Sequence, residues 1–348
     1  MDISKEAKRI LNDERLINHR DMWINRMQNL FDNKPDKFND ENVIGVFGAW
    51  GTPSDPGLML ENPELWVKEA LESIAEQAEA CFDENNYCPL CIEFGLYGVH
   101  FVGSIFGADV FFQDGNWYSR YLTNAVGELK EVDLDKSETW QIVKRAAHEF
   151  VRQDVKLPFF ALPTIASALV VAVNLYGDEI LMEMLADPDA AKHDLQIIND
   201  TLCKMHSELR NILPEENIHP VLAFERTQPP GYGQLCGCTN QLVSAEVYKE
   251  LIAPLDDALL AQYPKGGMMH LCGTHDHLIP IFRDMPHLKT VQINDRASED
   301  LEKYYTGLRP DQIIYFMPCE EMTIAQALQI TGGNRLVIQK PPAATVKK

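Results

Sequence analysis

The chain has no run of roughly 18 apolar residues, the length a membrane-spanning helix needs, so it does not read as a helical membrane protein. Its first residues, Met1-Asp2-Ile3-Ser4-Lys5-Glu6, are polar and lack the apolar core of a signal peptide. A cytoplasmic location is the expectation. Basic charge is scarce. Thirty-one Lys and Arg against 52 Asp and Glu leave a net charge of −21. That is the wrong sign for nucleic acid, and for a polyanionic substrate unless basic groups gather locally. Cysteine is sparse too: eight, scattered over 348 residues, do not make a disulfide framework. They read as reduced thiols, some free to bind metal. No internal repeat or low-complexity segment is evident.

What is present is an apolar content of 45%, enough for a sizeable core, in a length that one α/β barrel can fill. Apolar residues at helical spacing over 5–33 (Ile10, Leu16, Trp23, Met27, Leu30 and Phe31 among them) predict one or two helices ahead of the main fold. The apolar face of this extension suggests a homodimer arm. A polar linker with Pro35 follows. Eight short strand-like runs then alternate with helical stretches: 43–47, 88–94, 158–162, 220–224, 268–271, 290–293, 313–316 and 335–338. Helices are expected at 63–80, 137–153, 187–212, 244–262, 275–284, 297–306 and 322–331, with Ser137, Ser244 and Ser298 as caps. The segment 100–132, rich in Gly and aromatics, reads as a hairpin over the mouth. Short strands separated by helices imply a parallel sheet, and eight of them a single (β/α)8 TIM barrel with an N-terminal helical extension. The division is 1–42 for extension and linker and 43–348 for the barrel.

In such a barrel, chemistry sits where the strands end. The ends carry Trp50, Glu93, Pro163, Glu225 with Arg226, His270 with Cys272, Asn294 with Asp295, Cys319 with Glu320 and Glu321, and Gln339 with Lys340. Stability alone would not gather polar and metal-binding side chains there. His270-Leu271-Cys272 closes an apolar run just before Gly273, and Cys319 follows another. A His and two thiols, with a fourth position free, is how a catalytic zinc site is built. The bland alternative is a satisfied polar side chain and two buried thiols. Cys319 is expected as the third ligand because the fifth and seventh strands contribute to the same layer. Cys236-Gly237-Cys238, on a Gly-rich loop, is the alternative ligand source, or a structural loop. Cys88 and Cys91 lie inside a strand and read as core thiols. Glu225 and Asp295 are the candidate catalytic carboxylates, as a zinc ligand or an acceptor of a thiol proton; pairing with Arg226 or Arg296 is the plain alternative. Trp50, Glu93, Tyr97, Arg226 and Asn294 are the candidate substrate-binding residues. Trp117 and Tyr232 are further candidate wall aromatics, though core packing is the default for each. His275 and His277 read as surface or capping residues.

The stretch from Leu242-Val243-Ser244-Ala245-Glu246 to Ala253-Pro254-Leu255, followed by Met269-His270-Leu271-Cys272-Gly273, resembles the uroporphyrinogen decarboxylase superfamily. So do Phe94-Gly95-Leu96-Tyr97-Gly98, Phe106-Gly107-Ala108-Asp109-Val110 and Leu185-Ala186-Asp187-Pro188. The likeness covers most of 43–340. One branch of that superfamily decarboxylates uroporphyrinogen. Another contains zinc methyltransferases that move methyl groups between corrinoid proteins and thiols, with a His-x-Cys…Cys motif. His270 and Cys272 match its first part. The final Cys of those enzymes comes near the eighth strand, whereas Cys319 follows the seventh. The decarboxylases carry a paired-Arg segment near the first strand, and the equivalent Phe47-Gly48-Ala49-Trp50-Gly51-Thr52-Pro53-Ser54-Asp55 has no Arg. The resemblance therefore implies a zinc-dependent methyltransferase acting on a small thiol or small methylated substrate, with its corrinoid on a separate protein. A metal-free decarboxylase-type lyase and a non-catalytic barrel partnering a corrinoid protein are the alternatives.

Overall fold

The structure, a computed structural model, describes residues 2–34, 44–47, 56–83, 85–220 and 224–340. Twelve strands occur among them: β1 Ile44–Phe47, β2 Asn86–Tyr87, β3 Cys91–Glu93, β4 Val110–Gln113, β5 Asn116–Ser119, β6 Phe159–Ala161, β7 Ile218–His219, β8 Gly233–Cys236, β9 Gly267–Leu271, β10 Leu288–Ile293, β11 Ile313–Phe316 and β12 Leu336–Lys340. Seven form a parallel sheet in the order β2-β1-β12-β11-β10-β9-β8, and β3-β6-β7 form a second parallel sheet. β2 and β3 are one line of chain broken at Cys88-Pro89-Leu90, because proline has no N–H to give a ladder. Helices cover the outside, and the whole is a (β/α)8-type barrel with an N-terminal helical extension.

The fourth strand departs from expectation. The run 220–224 was to supply it, but the strand stops at His219, residues 221–223 lie outside the described part, and Phe224–Arg226 is a 3₁₀ turn. The unexpected β8 pairs directly with β9 instead. Ser298 is also not a cap. It lies buried inside a helical turn, its hydroxyl against the carbonyls of Ile293 and Met317. Ser137 and Ser244 do cap helices, accepting from Trp140 N and Val247 N. The expected hairpin exists as β4–β5, turning at Asp114 and Gly115, both with positive φ.

The pleat divides the core in two. On β9, β11 and β12 the outward residues Met269, Leu271, Ile314, Phe316, Leu336 and Ile338 pack into the large layer under the helices. The inward residues Met268, Ile313, Tyr315 and Val337 instead join Ile44, Val46 and Tyr87 inside the barrel. Trp23 and Met27, from the helix Glu14–Phe31, complete that inner cluster, each 0% exposed. Trp23 Nε1 donates to the Asp83 carbonyl at 3.3 Å, and the Arg26 guanidinium covers its ring at 4.3 Å. The helix stoppers the end of the barrel at which the strands begin. Apolar positions that suggested a dimer arm are thus used within the chain. No helix among the described residues is long and apolar enough to cross a membrane.

Candidate metal centre

In the parallel β8–β9 ladder Cys236 stands opposite His270. Paired residues of neighbouring strands share a face, so both side chains enter the barrel together. Residues two apart on a strand also share a face, which brings Cys272 to the same side as His270. Cys238 follows one turn of loop after β8, with its Sγ 3.4 Å from that of Cys236. The ligand atoms of Cys236, Cys238 and His270 all lie within 4.8 Å of one another. Cys272 lies close enough to Cys238 and His270 to exchange charge effects with them. A tetrahedral zinc with Zn–S of about 2.3 Å and Zn–N of about 2.0 Å has ligand-to-ligand edges of roughly 3.5–3.8 Å. The observed spacing fits that metal after a small contraction.

The two cysteine loops are clasped to each other. Gly237 N donates to His270 O at 2.9 Å. A Cβ on Gly237 would lie 2.8 Å from Asn240 Nδ2 and 2.9 Å from Met269 Sδ, so only glycine fits between the thiols of Cys236 and Cys238. Gln241 donates to Cys238 O and accepts from Thr274 N, crossing so close to Gly273 that a Cβ there would be 1.9 Å from its Oε1. His275 is 0% exposed, not a surface residue, and its ring nitrogens face Gly273 O at 2.9 Å and Gly237 O at 3.2 Å. Below, buried Asp256 accepts from Asn240 Nδ2 and from Tyr248 OH.

The thiols divide a charge between them. Cys272 and Cys236 are held below the ordinary thiol range, chiefly by hydrogen bonds from Cys238. Cys238 is pushed up because thiolates on both sides favour its keeping the proton. Such thiolates are the form that binds metal.

Of the residues singled out in the sequence, His270 and Cys272 lie side by side where β9 ends. Cys319 does not join them. Past Met317-Pro318 it enters a turn closed by its own N–H to Met322 O. The expectation from alternate strands overlooked β8, which lies hydrogen-bonded beside β9. Arg226 reaches the site, with Nη2 3.5 Å from His270 Nε2, and its buried Nε–H has no partner among the described residues. Glu225 is half-buried in the same turn. Asn294 follows β10, its N–H on Leu271 O and its buried Oδ1 without a partner among the described residues. Asp295, at φ 47°, is exposed. Glu93 ends β3, and Tyr97 follows in a left-handed turn, edge-on to Trp117 at 4.9 Å. Trp50 lies outside the described residues. Cys88 and Cys91 are buried core thiols. Sequence reasoning missed Gln241, the role of His275, and Gln292, whose Oε1 meets His270 Nδ1. A glutamine between Val291 and Ile293 on a strand buried on both faces was the available signal for the last.

No protein-family model matches this chain. No curated protein matches its sequence. Among solved structures, a methyltransferase from Methanosarcina mazei is similar, with a TM-score of 0.62 over 94% of each chain at 11% identity. At that identity the likeness speaks for the fold: the chain shares the barrel architecture of that methyltransferase along nearly its whole length.

Proposed function

We propose that this chain is a zinc-dependent methyltransferase that moves a methyl group between a separate corrinoid protein and a small thiol or small methylated substrate. The observation that carries the reading is the meeting of Cys236, Cys238 and His270 where two paired barrel strands end. These three would hold the metal. Cys272, in contact with two of them, is the donor that an incoming thiol would replace. When bound, zinc keeps a substrate thiol deprotonated at neutral pH while leaving its sulfur nucleophilic.

The chain's own groups do the rest. Arg226 presents beside the site an Nε–H with no partner among the described residues, and would orient the polar end of the substrate. Tyr97 with Trp117 would supply an apolar wall, and Glu93 and Asn294 would border the mouth. Glu225 is the candidate acceptor of the thiol proton, with Asp295 as the second carboxylate. In the transfer the S–H proton leaves to a carboxylate and sulfur bonds to the methyl carbon. The bond from methyl to its donor breaks with both electrons staying on the donor. A methylated corrinoid suits that departure, and the barrel mouth is where its protein would dock. The net charge of −21 and the Arg-free stretch 47–55 disfavour a substrate of many carboxylates.

The test is metal analysis of reduced purified protein, followed by incubation with methylcobalamin and a panel of small thiols. About one zinc per chain and thioether formation are expected. Protein that takes up no zinc, or that turns over uroporphyrinogen at roughly 1 per second or faster, would replace this reading with the metal-free lyase.

A further inference from the structure

We infer that Gln292 and Gln339 are positioning residues that lock His270 in its Nδ1–H tautomer, through a circuit of hydrogen bonds that leaves and re-enters the barrel wall at the turn Phe224–Arg226. The direction of the circuit is fixed at both ends by groups that have no choice. At one end is the backbone carbonyl of Glu225, which can only accept. Gln339 Nε2 donates to it at 3.1 Å. The other side of that amide, Oε1, therefore faces Gln292, whose Nε2 donates to it at 2.7 Å. Gln292 is then left with Oε1 toward His270 Nδ1. An amide oxygen accepts, so Nδ1 carries the proton and Nε2 the lone pair. At the other end is Arg226, which can only donate, with Nη2 3.5 Å from that Nε2. Glu225 and Arg226 are adjacent in sequence, so one turn of chain imposes both ends.

The alternative arrangement is costly in this place. A proton on Nε2 would face a guanidinium, and the bare Nδ1 would face Oε1. Rotating both amides to relieve this would set Gln339 Oε1 against the Glu225 carbonyl. Gln292 and Gln339 are 0% exposed, so water does not compensate a mismatched pair. The geometry of the strands serves the circuit. Gln292 on β10 reaches Gln339 on β12 across β11, whose inward Tyr315 turns its hydroxyl away to Thr227 O at 2.7 Å. The outcome is a ring nitrogen aimed as a ligand before any metal arrives. The tautomer stands on the hydrogen bonds alone; its use for metal rests on the reading above.

The experiment is long-range ¹H–¹⁵N correlation NMR of histidine-labelled, metal-free, reduced protein, paired with zinc affinity by chelator competition. Wild type should show His270 protonated at Nδ1. Q292L should lose that signature and bind zinc about 10–100-fold more weakly, the range usual for an outer partner of a metal-bound histidine. Q292E, whose carboxylate still accepts from Nδ1–H, should restore both. Q339L, which leaves Gln292 in place but free to rotate, should fall between wild type and Q292L. A wild-type His270 protonated at Nε2 overturns the inference, as does a folded Q292L with unchanged tautomer and affinity. A wild-type chain with the Nδ1–H ring and no zinc uptake supports the circuit while removing the metal reading.

Discussion

Along β9 the inward row runs from Met268, buried against the stopper helix, to His270 at the candidate metal centre, two residues later. β12 repeats the change from Val337 to Gln339, and β11 and β1 contribute Ile313 and Ile44 to the lower end. The two ends of one interior are thus built from the same strands and do different things. The lower end is closed by aromatic and aliphatic side chains and by Trp23 and Met27. The upper end carries thiols, an imidazole and amides that satisfy one another. Barrels place chemistry at the end where the strands finish and stability at the end where they start. Here the division falls within a single pleat. Gln234, between the two on β8, is buried with neither amide atom bonded to protein among the described residues.

The sharpest way to break this comparison is to remove one thiol from each of two candidate places. Cys236→Ala deletes a donor from the strand paired with β9, and zinc content should fall from about one per chain to trace. Cys319→Ala should leave zinc near wild type. Both should keep the wild-type circular dichroism spectrum, because the outer core does not depend on the metal. If Cys319→Ala loses zinc and Cys236→Ala retains it, the upper end has been assigned to the wrong strands.

The second effect belongs to the lower end. Trp23→Ala removes the largest side chain of the stopper and leaves a cavity among Ile44, Tyr87 and Met27, all nearly unexposed. A loss of about 3–5 kcal/mol is expected in denaturant unfolding, with zinc affinity within a few-fold of wild type. A mutant that unfolds normally but no longer binds zinc would show that the two ends are coupled.

How much of this was legible before folding follows from the chemistry of each row. β9, β10, β11 and β12 are buried on both faces and read as apolar runs, so their positions were plain. β8 was not. It is four residues long, follows Pro229-Pro230-Gly231, precedes Gly237, and turns Gln234 and Cys236 inward, so it looks like a loop. Missing that strand hid the pairing of Cys236 with His270, and Cys319 stood as the expected third ligand in its place. The glutamines of the circuit were visible as residues, but their function depends on register across three strands, which only the paired sheet provides. The apolar face of the first long helix was also visible, while its burial inside its own barrel was not.

The smallest predicted effect ties pH to the upper end alone. Asp256 is fully buried, and among the described residues only its Oδ2 has partners, Asn240 Nδ2 at 3.2 Å and Tyr248 OH at 2.9 Å. Burial raises its pKa from 3.8 to about 7. Between those values the folded chain holds a proton that the unfolded chain has lost. Folding therefore weakens as pH rises through this window, and above it the full cost of the buried charge is present. Asp256→Asn copies the neutral acid, its amide nitrogen standing where Oδ1 has no partner. The variant should match wild type near pH 4 and exceed it by about 1–3 kcal/mol at pH 8, read from urea midpoints across the range. Because Asn240 is two residues from Cys238, hydrogen exchange should locate the difference in 237–242, with the amides of the helix Glu14–Phe31 unchanged. Equal pH profiles for the two proteins would show that Asp256 is ionised in the fold and that its surroundings, not its proton, hold the cysteine loop.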